Sequence, residues 1–188
     1  RARGRGYVYW KCFTTGKSAR LGGVSHIDFG MTTAGIHQYV LGILRKTGIA
    51  EEAITKAQTG GPDGDLGGNE ILISKDRTVV MVDGGGVVFD PNGLDRRELV
   101  RLAKLRLDSS HFDESKLGPK GFKVKTADRD VRLPDGSVIA SGFAFRNSFH
   151  LDPRMKADLF VPCGGRPKSI HAANWKSLLD ADGKPIFK

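Results

Sequence analysis

Cysteine is scarce: Cys12 and Cys163 are the two in 188 residues, too few for a disulfide-built secreted scaffold and too far apart for a metal-ligand pair. That sparsity fits a reducing, intracellular compartment, cytoplasmic or mitochondrial. No run approaches the roughly 18 apolar residues of a membrane-spanning helix, and no basic stretch leads into an apolar one near the amino terminus, so no membrane partner is expected. The first residue is Arg1 rather than Met, which suits a trimmed or excised piece whose targeting signal lies elsewhere. The histidines His26, His37, His111, His150 and His171 show no H-x-x-x-H spacing and no neighbouring cysteine pair, so zinc chemistry is unsupported and no metal site is assigned. Thr15-Gly16-Lys17-Ser18 has the tail of a phosphate loop, but the upstream glycine of that motif would fall at Lys11, which rules out a Walker loop. Cys163 has no sequence-local base to make it a nucleophile.

Charge of one sign is present in excess, at +9, and excess Lys and Arg is what phosphate neutralisation by a nucleic-acid binder requires. Apart from the short basic run at 1–5, however, bases alternate with acids, as in Asp95-Arg96-Arg97-Glu98 and Asp128-Arg129-Asp130. A mixed surface of that kind disfavours a nucleic-acid partner. Ile36, Tyr39, Val40, Ile43 and Leu44 repeat at helical spacing after Thr32-Thr33, either of which can cap the helix start, and Gly48 supplies the stop. Residues 53–58 read as a strand, Thr59 to Asn69 as a glycine-rich loop opening a helix with Glu70, Ile71 and Leu72, and 78–82 as a β-branched buried parallel strand. That is a βαβ unit. Further on, Asp95 and Glu98 have capping-box spacing for a helix reaching about Leu107, and 121–125 reads as a strand. Residues 131–139 read as a hairpin folded at Pro134-Asp135-Gly136, 157–161 as a buried strand, and 172–179 as a helix. The fold class is α/β, Rossmann-like and doubly wound, with a mostly parallel sheet, helices on both faces and truncation at both ends.

Glycines between a strand and a helix let the backbone approach a pyrophosphate, whose charge the amides of the helix start can meet. Gly61, Gly64 and Gly67 stand there at G-x-x-G-x-x-G spacing, one residue longer than the regular dinucleotide fingerprint. A glycine-rich surface turn is the bland alternative. Asp83, 19 residues after Gly64 at the end of the next strand, can accept hydrogen bonds from the adenosine ribose hydroxyls and would repel a 2′-phosphate, so NAD is expected over NADP. An acid that merely starts the turn at Gly84, Gly85 and Gly86 is the other reading.

The run Gln58-Thr59-Gly60-Gly61-Pro62-Asp63-Gly64-Asp65-Leu66-Gly67-Gly68-Asn69-Glu70-Ile71 resembles the nucleotide loop of the large NAD-specific glutamate dehydrogenases, whose habit is the extra loop residue. Four more stretches resemble that family in the same order: 13–18, Gly30-Met31-Thr32-Thr33 with Tyr39, Phe145-Arg146-Asn147-Ser148-Phe149-His150, and Phe160-Val161-Pro162-Cys163-Gly164-Gly165-Arg166-Pro167. The resemblance implies oxidative deamination of L-glutamate to 2-oxoglutarate and ammonia, with hydride passed to NAD, in a homo-oligomeric full enzyme. It places Thr32 against the nicotinamide carboxamide, Gly61, Pro62, Asp63, Gly64, Asp65 and Leu66 around the pyrophosphate, Asp83 on the adenosine ribose, and Cys163 and Gly164 along the nicotinamide ribose. Residues 1–30 then form a connecting segment from the substrate domain and 31–188 an incomplete NAD-binding domain. The family's catalytic lysine and aspartate belong upstream, so no catalytic residue is assigned and cofactor binding without turnover is expected. A nucleotide-sensing module of the same fold without a reaction is the alternative.

Overall fold

The computed structural model describes residue 20 and residues 22–164 and 170–187. Cys12, the basic run at 1–5, the stretch at 13–18 and Gly165, Arg166 and Pro167 therefore lie outside the described residues. The elements are α1 (His26–Phe29), α2 (Met31–Thr47), β1 (Thr55–Thr59), α3 (Asp65–Ile73), β2 (Arg77–Val82), β3 (Gly86–Phe89), α4 (Arg96–Leu105), β4 (Phe122–Lys125), β5 (Val131–Arg132), β6 (Val138–Ile139), α5 (Gly142–Ser148) and β7 (Leu159–Pro162). No helix among the described residues is long and apolar enough to cross a membrane.

The β-branched run of β2 lies deep in a five-stranded sheet of order β4-β3-β2-β1-β7. β1 pairs in parallel with both β2 and β7, while β3 is antiparallel to β2 and β4. Four strands thus point one way and β3 alone is reversed, because the connection through Asp83, Gly84 and Gly85 is far too short for the crossover of a dozen or more residues that a parallel pair requires. Alternation along β2 and β3 splits the core. Val80, Val82, Val87 and Phe89 pack with Phe122, Phe145 and Phe149 on one face, whereas Met81 and Val88 meet Ile71, Leu99, Leu102 and Phe112 on the other. α5 covers the first face and α3 and α4 the second, as a doubly wound sheet demands. In β7, at the sheet edge, Leu159 and Phe160 stay half-buried.

Four local expectations are corrected. α2 starts at Met31 behind Gly30, whose φ of 55° makes it the cap, and no side chain caps the helix. Thr33 instead buries itself and donates Oγ1 to Leu66 O at 3.1 Å. The buried stripe of α2 is Thr33, His37, Val40 and Leu44, leaving Tyr39 78% exposed and Ile43 half-exposed. Counting apolar residues alone rotates this helix wrongly, because two polar side chains with partners on neighbouring elements belong to its inner face. The helix expected at 172–179 shrinks to a 3-10 turn at Trp175–Leu178 in which no residue is buried; without an apolar surface to pack on, so short a segment does not sustain an α-helix. The Asp95 cap is present, accepting from Glu98 N at 2.8 Å, but Glu98 turns to Arg101 and to Asp113 N rather than back to the cap.

A buried ionic network, unannounced by any motif, ties β1 to α2 and α3. Lys56 is wholly buried and places Nζ 3.2 Å from Glu70 Oε1, 2.9 Å from Asp76 Oδ2 and 2.9 Å from Ser74 Oγ. His37 lies 3.4 Å from Glu51 through Nε2 and 3.4 Å from Glu70 through Nδ1. Charges this deep persist only when paired, so the network fixes how α3 is seated on the sheet.

Candidate functional site

The strand order reverses at β1, which continues to β2 on one side and pairs with β7 on the other. Crevices outside the carboxyl ends of strands at such a point are where open α/β sheets take ligands. Thr59 and Pro162 are register partners there, and Cys163 N donates to Thr59 O at 2.7 Å. Immediately beyond, Gly60 has a φ of 91°, and a Cβ on it would stand 2.6 Å from the Cys163 carbonyl carbon, so the two strand ends touch backbone to backbone. A Cβ on Gly67 would overlap Gly60 O, and one on Gly61 would overlap Asp83 Oδ2. Glycine at these positions lets β1, α3 and β2 converge.

Gly64 is different. Its φ is −76° and an added Cβ would meet Gly61 O at 3.4 Å, an ordinary contact, so the fold itself does not demand glycine there. As N-cap of α3 it supplies no side-chain hydrogen bond, which leaves the first-turn amides and the positive end of the helix dipole without a side-chain partner. Asp65, the acid in that turn, holds Asn69 Nδ2 with Oδ1 at 3.1 Å. Arg106, in the left-handed region at φ 54°, reaches from the end of α4 to donate Nη1 to Gly64 O at 2.8 Å.

At the end of β2, Asp83 is 2% exposed. Its Oδ1 accepts from Gly85 N at 2.8 Å, Gly86 N at 3.3 Å and Ser109 Oγ at 2.5 Å, and its Oδ2 from Ser109 N at 2.8 Å. Burial pushes its pKa above the ordinary value despite the Ser109 and Gly85 hydrogen bonds, and the charge of Asp63 adds to the rise. Asp83 therefore does hold the Gly84 to Gly86 turn, and little acceptor capacity remains for anything else. Arg146 of α5 braces the same turn through Nε to Asp83 O at 2.5 Å. Thr32 is exposed in the first turn of α2, which the Thr33 to Leu66 bond ties to the start of α3.

Residues 22–187 match the family model for glutamate/leucine/phenylalanine/valine dehydrogenases. The chain belongs to that dehydrogenase family. It is 55% identical to glutamate dehydrogenase 2 of Dictyostelium discoideum over 99% of this chain and 18% of that protein. It is 52% identical to the NAD-specific glutamate dehydrogenase of Neurospora crassa over 97% of this chain and 17% of that one, and 48% identical to a probable NAD-specific glutamate dehydrogenase of Schizosaccharomyces pombe over 100% and 17%. The chain thus spans less than a fifth of the curated relatives it matches. A crystal structure of Plasmodium falciparum glutamate dehydrogenase aligns with a TM-score of 0.49 and 19% identity over 80% of this chain and 28% of that one.

For this dehydrogenase chain, the glycine loop, Asp83, Cys163 and Gly164 meet around the ends of β1, β2 and β7, with Thr32 one helix start away. Ser109 and Arg106 are not flagged by the sequence, and Thr33 and Arg146 stand there in a candidate cap and in resembling stretches without the bonds to Leu66 O and Asp83 O that the structure gives them. No spacing flags Ser109, which lies 26 residues from the carboxylate it holds; Thr33 sits one position from a residue the resemblance singled out. Burial, followed by the charge of Glu70, pushes the Cys163 thiol up to about 12, so at neutral pH it is an uncharged packing group and not a nucleophile.

Proposed function

We propose that the chain is the NAD-binding portion of an NAD-specific glutamate dehydrogenase of the large-subunit type, with residues 31–188 carrying the nucleotide and 1–30 leading from the substrate domain. The observation that carries the reading is the uncapped start of α3 at the sheet's switch point, with a glycine at 64 that the protein's own packing does not require. A pyrophosphate meets the first-turn amides there, cradled by Gly61, Pro62, Asp63, Gly64, Asp65 and Leu66. Asp83 lies at the adenosine ribose, Cys163 and Gly164 line the nicotinamide ribose with backbone atoms, and Thr32 contacts the carboxamide. The names of the relatives support NAD and glutamate.

In the whole enzyme L-glutamate, NAD⁺ and water give 2-oxoglutarate, ammonium, NADH and a proton; bound NAD supplies the hydride acceptor. This chain's residues bind and orient, and no catalytic group is assigned among them. Hydride transfer needs donor and acceptor carbons held in near contact, so turnover belongs to the homo-oligomeric enzyme with its substrate domain. Calorimetric titration of the purified chain with NAD, NADP and ADP is the test. Saturable binding of NAD and ADP with weaker NADP is expected, and NADP binding more tightly than NAD, or no NAD binding at all, refutes the proposal. Glutamate-dependent NAD reduction by these 188 residues alone would contradict the assignment of catalysis to other parts of the enzyme.

A further inference from the structure

The acid at the end of β2 is already occupied. Asp83 Oδ1 takes three hydrogen bonds, Oδ2 takes one, and the Gly61 backbone packs directly against Oδ2. A carboxylate offers about four acceptor sites, so Asp83 cannot also hold two ribose hydroxyls while keeping its turn.

Another carboxylate stands at the same place. Residues Ser109–His111 form a 3-10 turn capped by Asp108, and this turn lies on the loop after β2: a Cβ built on Gly85 would come within 2.6 Å of Asp108 Oδ1 and 2.7 Å of Ser110 N. Asp108 Oδ1 accepts from Ser110 N at 3.0 Å and from Ser110 Oγ at 2.6 Å, and lies 3.1 Å from His111 Nδ1. Oδ2 has no partner among the described residues, and the side chain is 32% exposed. Burial alone would raise its pKa, but the hydrogen bonds from Ser110 and His111 outweigh that and hold it below the usual carboxylate range. The charged groups on or against this turn are His111, Asp83 through Ser109, Lys123, whose Nζ donates to Ser110 O at 3.1 Å, and Arg106 two positions before Asp108, whose guanidinium is turned to Gly64 O.

We propose that Asp108 is a specificity-determining residue, its partly exposed carboxylate beside Gly85 excluding a dinucleotide that carries a phosphate on the adenosine ribose 2′-oxygen, while Asp83 chiefly holds the loop. The proposal rests on the dinucleotide reading above. An ionised carboxylate has no hydrogen to offer a phosphate and repels its charge. Once residue 108 is neutral, Arg106, His111 and Lys123 are the cationic or protonatable groups left around this turn, and all three favour an anion, against the buried and hydrogen-bonded carboxylate of Asp83.

Calorimetric titration of the wild type, Asp108→Asn, Asp108→Ser, Asp63→Asn and Asp83→Asn with NAD and NADP tests this, with thermal melting as a check on folding. Asn and Ser both preserve an oxygen to cap the Ser109–His111 turn. In the two Asp108 variants NADP affinity is expected to rise by at least about tenfold while NAD affinity stays within about threefold. Asp83→Asn is expected to lower the melting temperature and to weaken both dinucleotides together. A wild type that prefers NAD, with well-folded Asp108 variants that gain no NADP affinity, overturns the proposal and leaves the dinucleotide reading standing. A gain confined to Asp63→Asn likewise overturns it. A wild type that binds neither dinucleotide removes both.

Discussion

A methyl group at residue 64 separates ligand-imposed glycine from fold-imposed glycine. Gly64 has φ −76° and ψ 158°, backbone that any residue adopts, and the added carbon would rest 3.4 Å from Gly61 O. Alanine is a poorer N-cap than glycine by up to roughly 1 kcal/mol, but it also narrows the unfolded ensemble by roughly 0.4–1 kcal/mol. The two effects nearly cancel, so Gly64→Ala should move Tm by no more than about 4 °C. Binding is another matter. If a pyrophosphate sits against the α3 amides, the methyl stands between them, and losing one charge-assisted hydrogen bond at about 1.5–3 kcal/mol weakens NAD by roughly tenfold to a hundredfold. Gly61→Ala is the contrasting variant, because its Cβ would overlap Asp83 Oδ2 and should depress Tm whether or not a ligand is present. Calorimetry with NAD and melting curves on both variants supply the readouts. Gly64→Ala binding NAD as tightly as the wild type, with an unchanged melt, would refute the cradle.

Lys56→Met leaves Glu70 and Asp76 buried without their cation, and urea unfolding should show a loss of about 3–5 kcal/mol; a loss under about 1 kcal/mol would mean that water or rearrangement compensates. Glu98 is held below the usual carboxylate range first by the Arg101 hydrogen bonds and then, against a smaller opposing effect of burial, by Asp113 N. Its folded pKa is depressed, so its contribution is present above its unfolded value and fades as pH falls through the folded one. Stability measured by urea between pH 6 and pH 3 should therefore fall more steeply in the wild type than in Glu98→Gln, and parallel curves would count against this. Cys163, buried and pushed up to about 12, should resist iodoacetamide at pH 8 in the folded chain and react once denaturant is added; peptide mapping that finds rapid native alkylation at Cys163 would contradict the burial.

Elements with local, periodic or β-branched signals were legible. The Arg77–Val82 run, the Asp95 cap, the Gly48 stop and the Asp-Gly hairpin at Asp135-Gly136 each specify a conformation within a few residues, and each is found. α5 was not read as a helix although its residues stood out as a motif: its start depends on Ser141 Oγ accepting from Ala144 N, and the aromatics Phe145 and Phe149 reveal their purpose only against Phe89 and Phe122 of the sheet. The inner face of α2 was misread for a related reason. His37 and Thr33 count as polar in any one-dimensional pattern, and only Glu51, Glu70 and Leu66, brought from two other elements, make them interior.

The candidate site divides along the same line. The proposed phosphate end is contiguous in sequence, since a strand end, a glycine turn and a helix start must follow one another to present free amides, and that succession of elements is legible in the residues. The proposed ribose end is assembled from afar: Asp83 closes β2, Asp108 and Ser109 return 25 and 26 residues later on the turn after α4, and Arg146 arrives from a helix on the opposite face. A spacing rule can place one acid near a ribose, but it cannot tell whether that acid's lone pairs are free. Here burial and four hydrogen bonds absorb Asp83, which makes it the keystone of the loop, and the proposal assigns discrimination to its more exposed neighbour. Conservative neutralisation at 83 and 108 should then fail in different currencies, the first in stability and the second in the choice between dinucleotides.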